Sequence, residues 1–71
     1  MTPSEESILK VEQIKNEARR YIKIHRKFPN NINLTKEELL LIREARKCGI
    51  IPEIIYKGEK RVINVKYGGY R

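Results

Sequence analysis

One cysteine, Cys48, and one histidine, His25, are all that this 71-residue chain offers of those residue types. A lone cysteine forms no intrachain disulfide. With no second histidine, no CxxC pair and no carboxylate–histidine spacing, the sequence also lacks a set of side chains to hold a metal ion. No apolar run is longer than the four residues of 39–42, Leu-Leu-Leu-Ile, far short of the ~20 needed to span a bilayer. The opening Met-Thr-Pro-Ser-Glu-Glu has no basic stretch leading into an apolar core, so it does not read as a secretory signal. Together with the unpaired thiol, this leads to the expectation of a cytoplasmic protein without membrane contact. The Gly-Glu-Lys at 58–60 has neither the spacing nor the following helix of a phosphate-binding loop. His25 falls on the apolar stripe of the first expected helix, and Cys48 on the inner side of the second with Leu41 and Ala45. Neither position suits acid–base or nucleophilic chemistry, so the sequence points to a protein that is not an enzyme and takes no cofactor.

What the chain has in excess is positive charge: 16 basic against 9 acidic residues, a formal net charge of +7. Such a balance favours polyanionic partners. Residues 1–9 carry −2, residues 10–27 carry +5, residues 35–48 carry +1 and residues 53–71 carry +3. The excess therefore sits in the first expected helix and in the C-terminal segment. Between Arg19 and Lys27 stand five basic residues, Arg19, Arg20, Lys23, Arg26 and Lys27, and no acidic one.

Two helix starts are written alike. Thr2-Pro-Ser-Glu5 and Thr35-Lys-Glu-Glu38 each place a hydroxyl at the N-cap and a carboxylate three residues on, so side chains and free amides satisfy each other; Pro3 stands where its missing N–H costs nothing. The first helix is expected over residues 3–27, ended by Pro29, which disfavours helical backbone at Phe28. The second is expected over 36–48, closed by Gly49 in a left-handed cap. Between them, Asn30-Asn-Ile-Asn-Leu34 alternates polar and apolar residues and suits a short strand with Ile32 and Leu34 on one face. Residues 50–56 and 61–67 are two β-prone runs around Lys57-Gly58-Glu59-Lys60, which reads as a hairpin. With Gly58-Glu59 as its two-residue turn, Ile54 lies opposite Ile63 and Pro52 opposite Val65, giving an apolar face with Tyr56 and Tyr67.

The expected fold is a small α+β single domain over residues 1–66, with two helices packed on a C-terminal β-hairpin in the order α-β-α-β-β. The short strand joins the hairpin in a three-stranded mixed sheet through a right-handed crossover; if 32–34 is only extended loop, the order reduces to α-α-β-β. Residues 67–71, Tyr-Gly-Gly-Tyr-Arg, read as a flexible C-terminal tail. At 71 residues a single core only just offsets chain entropy, so self-association or a bound partner would supply useful burial.

At about 100° per residue the five cations of the first helix fall opposite its apolar stripe of Val11, Ile14, Ala18, Tyr21 and Ile22. Such a ridge can follow a phosphate backbone. It can equally be a solvated face, since bases near a helix C-terminus complement its dipole, but that effect reaches only the last turn and so covers Arg26 and Lys27 better than Arg19, Arg20 and Lys23. Around the hairpin turn, Lys57, Lys60 and Arg61 form a second basic group, with Lys66 beyond. A protruding basic turn can reach a groove as the wing of winged-helix proteins does. The comparison ends there, because only one helix of ordinary length fits between Thr35 and Gly49; the alternative is that these lysines guard an exposed strand edge. Tyr67, Tyr70 and Arg71 have the composition of a base-stacking segment if a surface holds them. Within Leu39-Leu40-Leu41-Ile42, Leu40 points away from Leu41 and Ala45, so Leu39 and Leu40 offer either a partner or dimer surface or ordinary packing.

The leading functional expectation is a small nucleic-acid-binding or regulatory protein that contacts phosphates through Arg19, Arg20, Lys23, Arg26 and Lys27, assisted by Lys57, Lys60 and Arg61. One alternative is an accessory or viral modulator that docks on a larger protein through Leu39 and Leu40 or a hairpin edge. Another is a homo-oligomer that captures a small phosphorylated ligand.

Overall fold

Each helix begins where a hydroxyl can cap it and ends where the backbone turns left-handed. The computed structural model describes residues 4–68, in the order α1 (Glu5–His25), β1 (Ile32–Leu34), α2 (Lys36–Lys47), β2 (Glu53–Tyr56), β3 (Glu59–Val62) and β4 (Val65–Tyr67). Helix α1 is capped by Ser4, whose Oγ accepts from the Ser7 N–H at 3.2 Å and lies 2.8 Å from the Ser7 hydroxyl. The cap therefore stands two residues later than the Thr2 expected from the sequence; Thr2 and Pro3 lie outside the described residues. Tertiary structure explains the choice: the Ser4 N–H donates to Glu44 Oε2 on α2 at 3.2 Å, and the fully buried Ser7 hydroxyl needs the partner that Ser4 gives it.

Helix α1 also ends early. Arg26, not Lys27, closes it, with φ 61° and its N–H donating to the Ile22 carbonyl at 2.7 Å. Helix α2 follows its expected start closely, with the reciprocal Thr35–Glu38 capping box formed, but it ends at Lys47 with Cys48 as C-cap. Gly49, at φ 87°, lets its own N–H reach the Arg46 carbonyl and that of Ile50 reach the Ala45 carbonyl. This is the Schellman arrangement that a glycine one residue past the cap permits.

The two helices run antiparallel, because Ser4 meets Glu44 and Lys10 Nζ meets Glu38 Oε2 at 2.8 Å. Their facing surfaces bury Ser7, Val11, Ile14 and Ala18 from α1 and Ile42 and Ala45 from α2. On the other side α2 packs against β1 and β4, where Ile32 and Leu34 complete the core with Ile54 and Ile63. Tyr21 and Ile22 are half-buried, as the expected stripe requires, whereas His25 is exposed and stacks on Tyr21 at 4.3 Å between centroids. On α2 the buried pair is Ile42 and Ala45, with Leu41 and Cys48 only half-buried.

The domain is α+β, with two helices and two small sheets. The three-stranded mixed sheet is not formed. Residues 32–34 do make a strand, but it pairs in parallel with β4, Ile32 opposite Val65 and Leu34 opposite Tyr67, while β2 and β3 form a separate antiparallel hairpin. The run read as one strand over 61–67 changes partner midway: Ile63 donates to the Pro52 carbonyl at 2.8 Å, and Asn64 accepts from Ile32 at 2.9 Å.

The hairpin register also differs from expectation. Its two-residue turn is Lys57-Gly58, with φ 54° and 81°, and Tyr56 pairs with Glu59. Two positive φ values in succession define the turn whose twist matches paired strands, and glycine fills its second position well. Ile54 consequently lies opposite Arg61, not Ile63, and Tyr67 belongs to the parallel pair and not to the hairpin face.

Candidate functional site

Of the eight cations singled out from the sequence, Arg19, Arg20 and Lys23 lie on the last third of α1 and are exposed. The Arg19 guanidinium donates to Asn16 Oδ1 at 2.9 Å, which orients it along the helix. Arg26 and Lys27 are exposed as well but have left the helix, so the expected single ridge of five is broken after Lys23. The left-handed turn at Arg26 sends the chain toward Phe28 and the buried Pro29.

Phe28 is where the two basic groups meet. Its ring lies 5.4 Å from that of Tyr56 in β2, and the Arg61 guanidinium of β3 sits 4.3 Å above it and 5.8 Å from Tyr56. Lys57 Nζ stands 5.4 Å from the Tyr56 centroid. Register accounts for the cluster: residues directly opposite in an antiparallel pair share a face, so Arg61 points the same way as Ile54 and Tyr56, toward the body of the domain. A guanidinium stacked on an aromatic face keeps its in-plane N–H donors free for an anion. Arg61 and Lys57 are thereby docked beside the chain segment that carries Arg26 and Lys27. Lys60 points to the opposite hairpin face, with Glu53 Oε2 3.9 Å from its ammonium. Among the described residues, none of the other seven has a carboxylate within ion-pair distance.

A further pair of unusual positions flanks the Phe28–Tyr56 contact along the chain. The described residues include two non-glycine residues with positive φ, Arg26 at 61° and Lys57 at 54°. Left-handed backbone costs a side-chain-bearing residue roughly 1–2 kcal/mol. Glycine or asparagine would serve both positions better locally.

The sequence reading passed over a second set of cations on α2. Residues 35–48 carry a net charge of only +1, which hid how the charges divide between faces. Two of the three acids turn toward α1: Glu38 pairs with Lys10, and Glu44 accepts from Ser4, while Glu37 is exposed in the first turn. Lys36, Arg43, Arg46 and Lys47 fall within an arc of about 100° on the other side, all exposed and without an ion-pair partner among the described residues. Winding residues 36–47 at 100° per residue would have revealed the division.

Leu40 of α2 and Tyr67 of β4 border this face. Leu40 and Tyr67 are 57% and 58% exposed, and with Lys36, Leu39 and Arg43 they line a groove of about 440 Å³, apolar along its floor and cationic at its rim. Tyr67, expected at the start of a loose tail, instead ends β4 opposite Leu34. The next residue secures it: Gly68 donates to the Leu34 carbonyl at 3.0 Å and passes so near Asn33 that an added Cβ would lie 2.3 Å from the Asn33 Cβ. Tyr70 and Arg71 lie outside the described residues. Leu39 is half-buried against the core, so of the expected Leu39/Leu40 surface it is Leu40 that is open.

The Lys10 ammonium, hydrogen-bonded to Glu38, and the Thr35 N–H at 2.9 Å hold the Glu38 carboxyl below the usual carboxylate range. Glu38 thus ties the start of α2 to α1. Among the described residues no cluster of three or more histidine, cysteine, aspartate or glutamate side chains could hold a metal ion, and no helix is long and apolar enough to cross a membrane. Comparisons with protein-family models, with curated proteins and with solved structures find no match to this chain.

Proposed function

We propose that this protein is a nucleic-acid-binding module, not an enzyme, that contacts the phosphate backbone through Arg26, Lys27, Lys57 and Arg61, extended along α1 by Lys23, Arg20 and Arg19. The contact of Tyr56 and Arg61 with Phe28 carries the reading, because it sets the Arg61 guanidinium beside the segment that follows Arg26 and Lys27. The left-handed backbone at Arg26 and Lys57 supports it further. Residues that violate a local preference without structural benefit mark places where something other than stability selects the side chain. Here both carry positive charge, and both lie within two residues of the Phe28–Tyr56 contact.

Fluorescence anisotropy of labelled duplex DNA at two salt concentrations tests the reading. Four phosphate contacts give a log–log salt slope of about −3.6 and seven give about −6. No binding at low salt, or binding indifferent to salt, removes it.

A protein partner is the second reading, favoured by the 65% exposure of Ile55 on the outer hairpin face beside Val62 at 43%. Retention of a specific partner from nuclease-treated extract, lost on Ile55→Lys, supports that alternative.

A further inference from the structure

We propose that the groove between α2 and β4 receives an unpaired nucleobase, stacked on Tyr67, with the flanking phosphates held by Lys36 and Arg43. This deepens the nucleic-acid reading and rests on it; what it adds is a preference for single strands and a second contact surface.

The argument begins with rigidity. An aromatic side chain on a fixed backbone stacks on a base without the entropy cost of first ordering the chain. Tyr67 meets that condition through its pairing with Leu34 and the close seating of Gly68 on Asn33. The residue is 58% exposed. The groove it borders has an apolar floor from Leu39 and Leu40, suited to a flat base, and places its two cations at the rim. Lys36 and Arg43 are seven residues apart, about 10 Å along the helix axis. They therefore flank a base and do not compete with it for the floor.

Charge complementarity selects the occupant. The cations of α2 do not form a single point charge: Lys36, Arg43, Arg46 and Lys47 run over eleven residue steps, about 16 Å, on one arc of the helix. An array of that length matches a repeating anion, whereas an acidic peptide side chain would need one partner. The concavity next to the groove shares Lys36 and Tyr67 with it and carries the Glu37 and Glu38 carboxylates, which repel phosphate, so the strand is directed away from it, toward Arg43 and the C-terminal end of α2.

The experiment measures binding of a 12-nucleotide oligothymidylate and of a 12-base-pair duplex to the wild type and to Tyr67→Leu, Tyr67→Phe and Lys36→Gln/Arg43→Gln variants, each checked for unchanged circular dichroism. The wild type should prefer the single strand. Tyr67→Leu should weaken single-strand binding about tenfold or more, the effect of losing one stacked base, while duplex binding holds and Tyr67→Phe retains affinity. The double variant should lower the single-strand salt slope by about 1.4. Equal binding of both forms with no effect of Tyr67→Leu overturns the groove assignment and leaves the phosphate-contact reading standing. Absence of binding to either form overturns both. Binding of a polyglutamate peptide that depends on Tyr67, with nucleic-acid affinity unmoved by Tyr67→Leu, overturns the assignment in favour of a protein partner.

Discussion

Replacing Arg26 and Lys57 together by asparagine should make the protein more stable and a weaker ligand for nucleic acid. Both residues hold left-handed backbone, φ 61° at the end of α1 and 54° in the hairpin turn. Asparagine tolerates that conformation because its short polar side chain bonds locally, and it does so without glycine's added freedom in the unfolded chain. The left-handed cost of roughly 1–2 kcal/mol for an ordinary residue is then relieved in part, by about 0.5 kcal/mol at each site. At Lys57 the change also creates Asn-Gly, the preferred pair for this turn. For a chain of this size, about 1 kcal/mol in total raises the melting temperature by about 4–8 °C. Affinity should move the other way, since losing two phosphate contacts lowers the duplex salt slope by about 1.8. Scanning calorimetry and anisotropy titrations on the same preparations read both quantities. A melting temperature that falls shows that these positions are not strained. A slope that does not change shows that the two cations do not touch phosphate. Either result refutes the link drawn between strain and charge.

Three further outcomes test the fold that supports the surface. Gly68→Ala should lower the melting temperature by several degrees, because its Cβ would meet the Asn33 Cβ at 2.3 Å and Cα at 3.2 Å, an overlap costing about 1–3 kcal/mol; Asn33→Gly in the same chain should restore part of the loss. Ser4→Ala should cost about 1–2 kcal/mol by removing the N-cap and leaving the buried Ser7 hydroxyl unpartnered, and chemical denaturation should show the Ser4→Ala/Ser7→Ala double variant losing less than the two single losses combined. Because the Glu38 carboxyl is held low in the native state by Lys10 and Thr35, its contribution is present above the ordinary carboxylate pKa and is lost as pH falls through the depressed native value. Glu38→Gln should therefore flatten the dependence of melting temperature on pH below about 4.3, by well under 1 kcal/mol since the pair is partly solvated.

Local chemistry wrote some elements plainly into the chain. The α2 start was legible because Thr35 and Glu38 satisfy each other within four residues, and its end because Gly49 alone takes the left-handed position easily. The alternation around Ile32 and Leu34 correctly marked a half-buried strand. What failed to show was anything decided by distant partners. Ser4 outcompeted Thr2 as cap because Glu44, forty residues away, takes its N–H. The strand expected over 61–67 divided because Ile63 and Asn64 serve two different neighbours, Pro52 and Ile32. The turn register shifted because a left-handed lysine was tolerated where the sequence suggested only glycine and glutamate.

The candidate site was legible to the same extent. Charge density identified the end of α1 and the hairpin, but their meeting depends on Phe28, a residue whose role becomes visible only when Tyr56 and Arg61 are seen beside it. On α2 the regional charge concealed a basic face, since summing along the chain cancels Lys36, Arg43, Arg46 and Lys47 against Glu38 and Glu44, which turn toward α1. The stacking chemistry of Tyr67 was legible, but its support was not, because that comes from Asn33 and Leu34, more than thirty residues earlier.

The most direct measurement is the affinity of the purified wild-type protein for a short duplex between 50 and 200 mM salt. If Arg26, Lys27, Lys57 and Arg61 jointly face phosphate, the logarithm of the association constant falls with that of salt at a slope of about −3.6 or steeper. A slope near zero, or no detectable association at the lower salt, contradicts that claim.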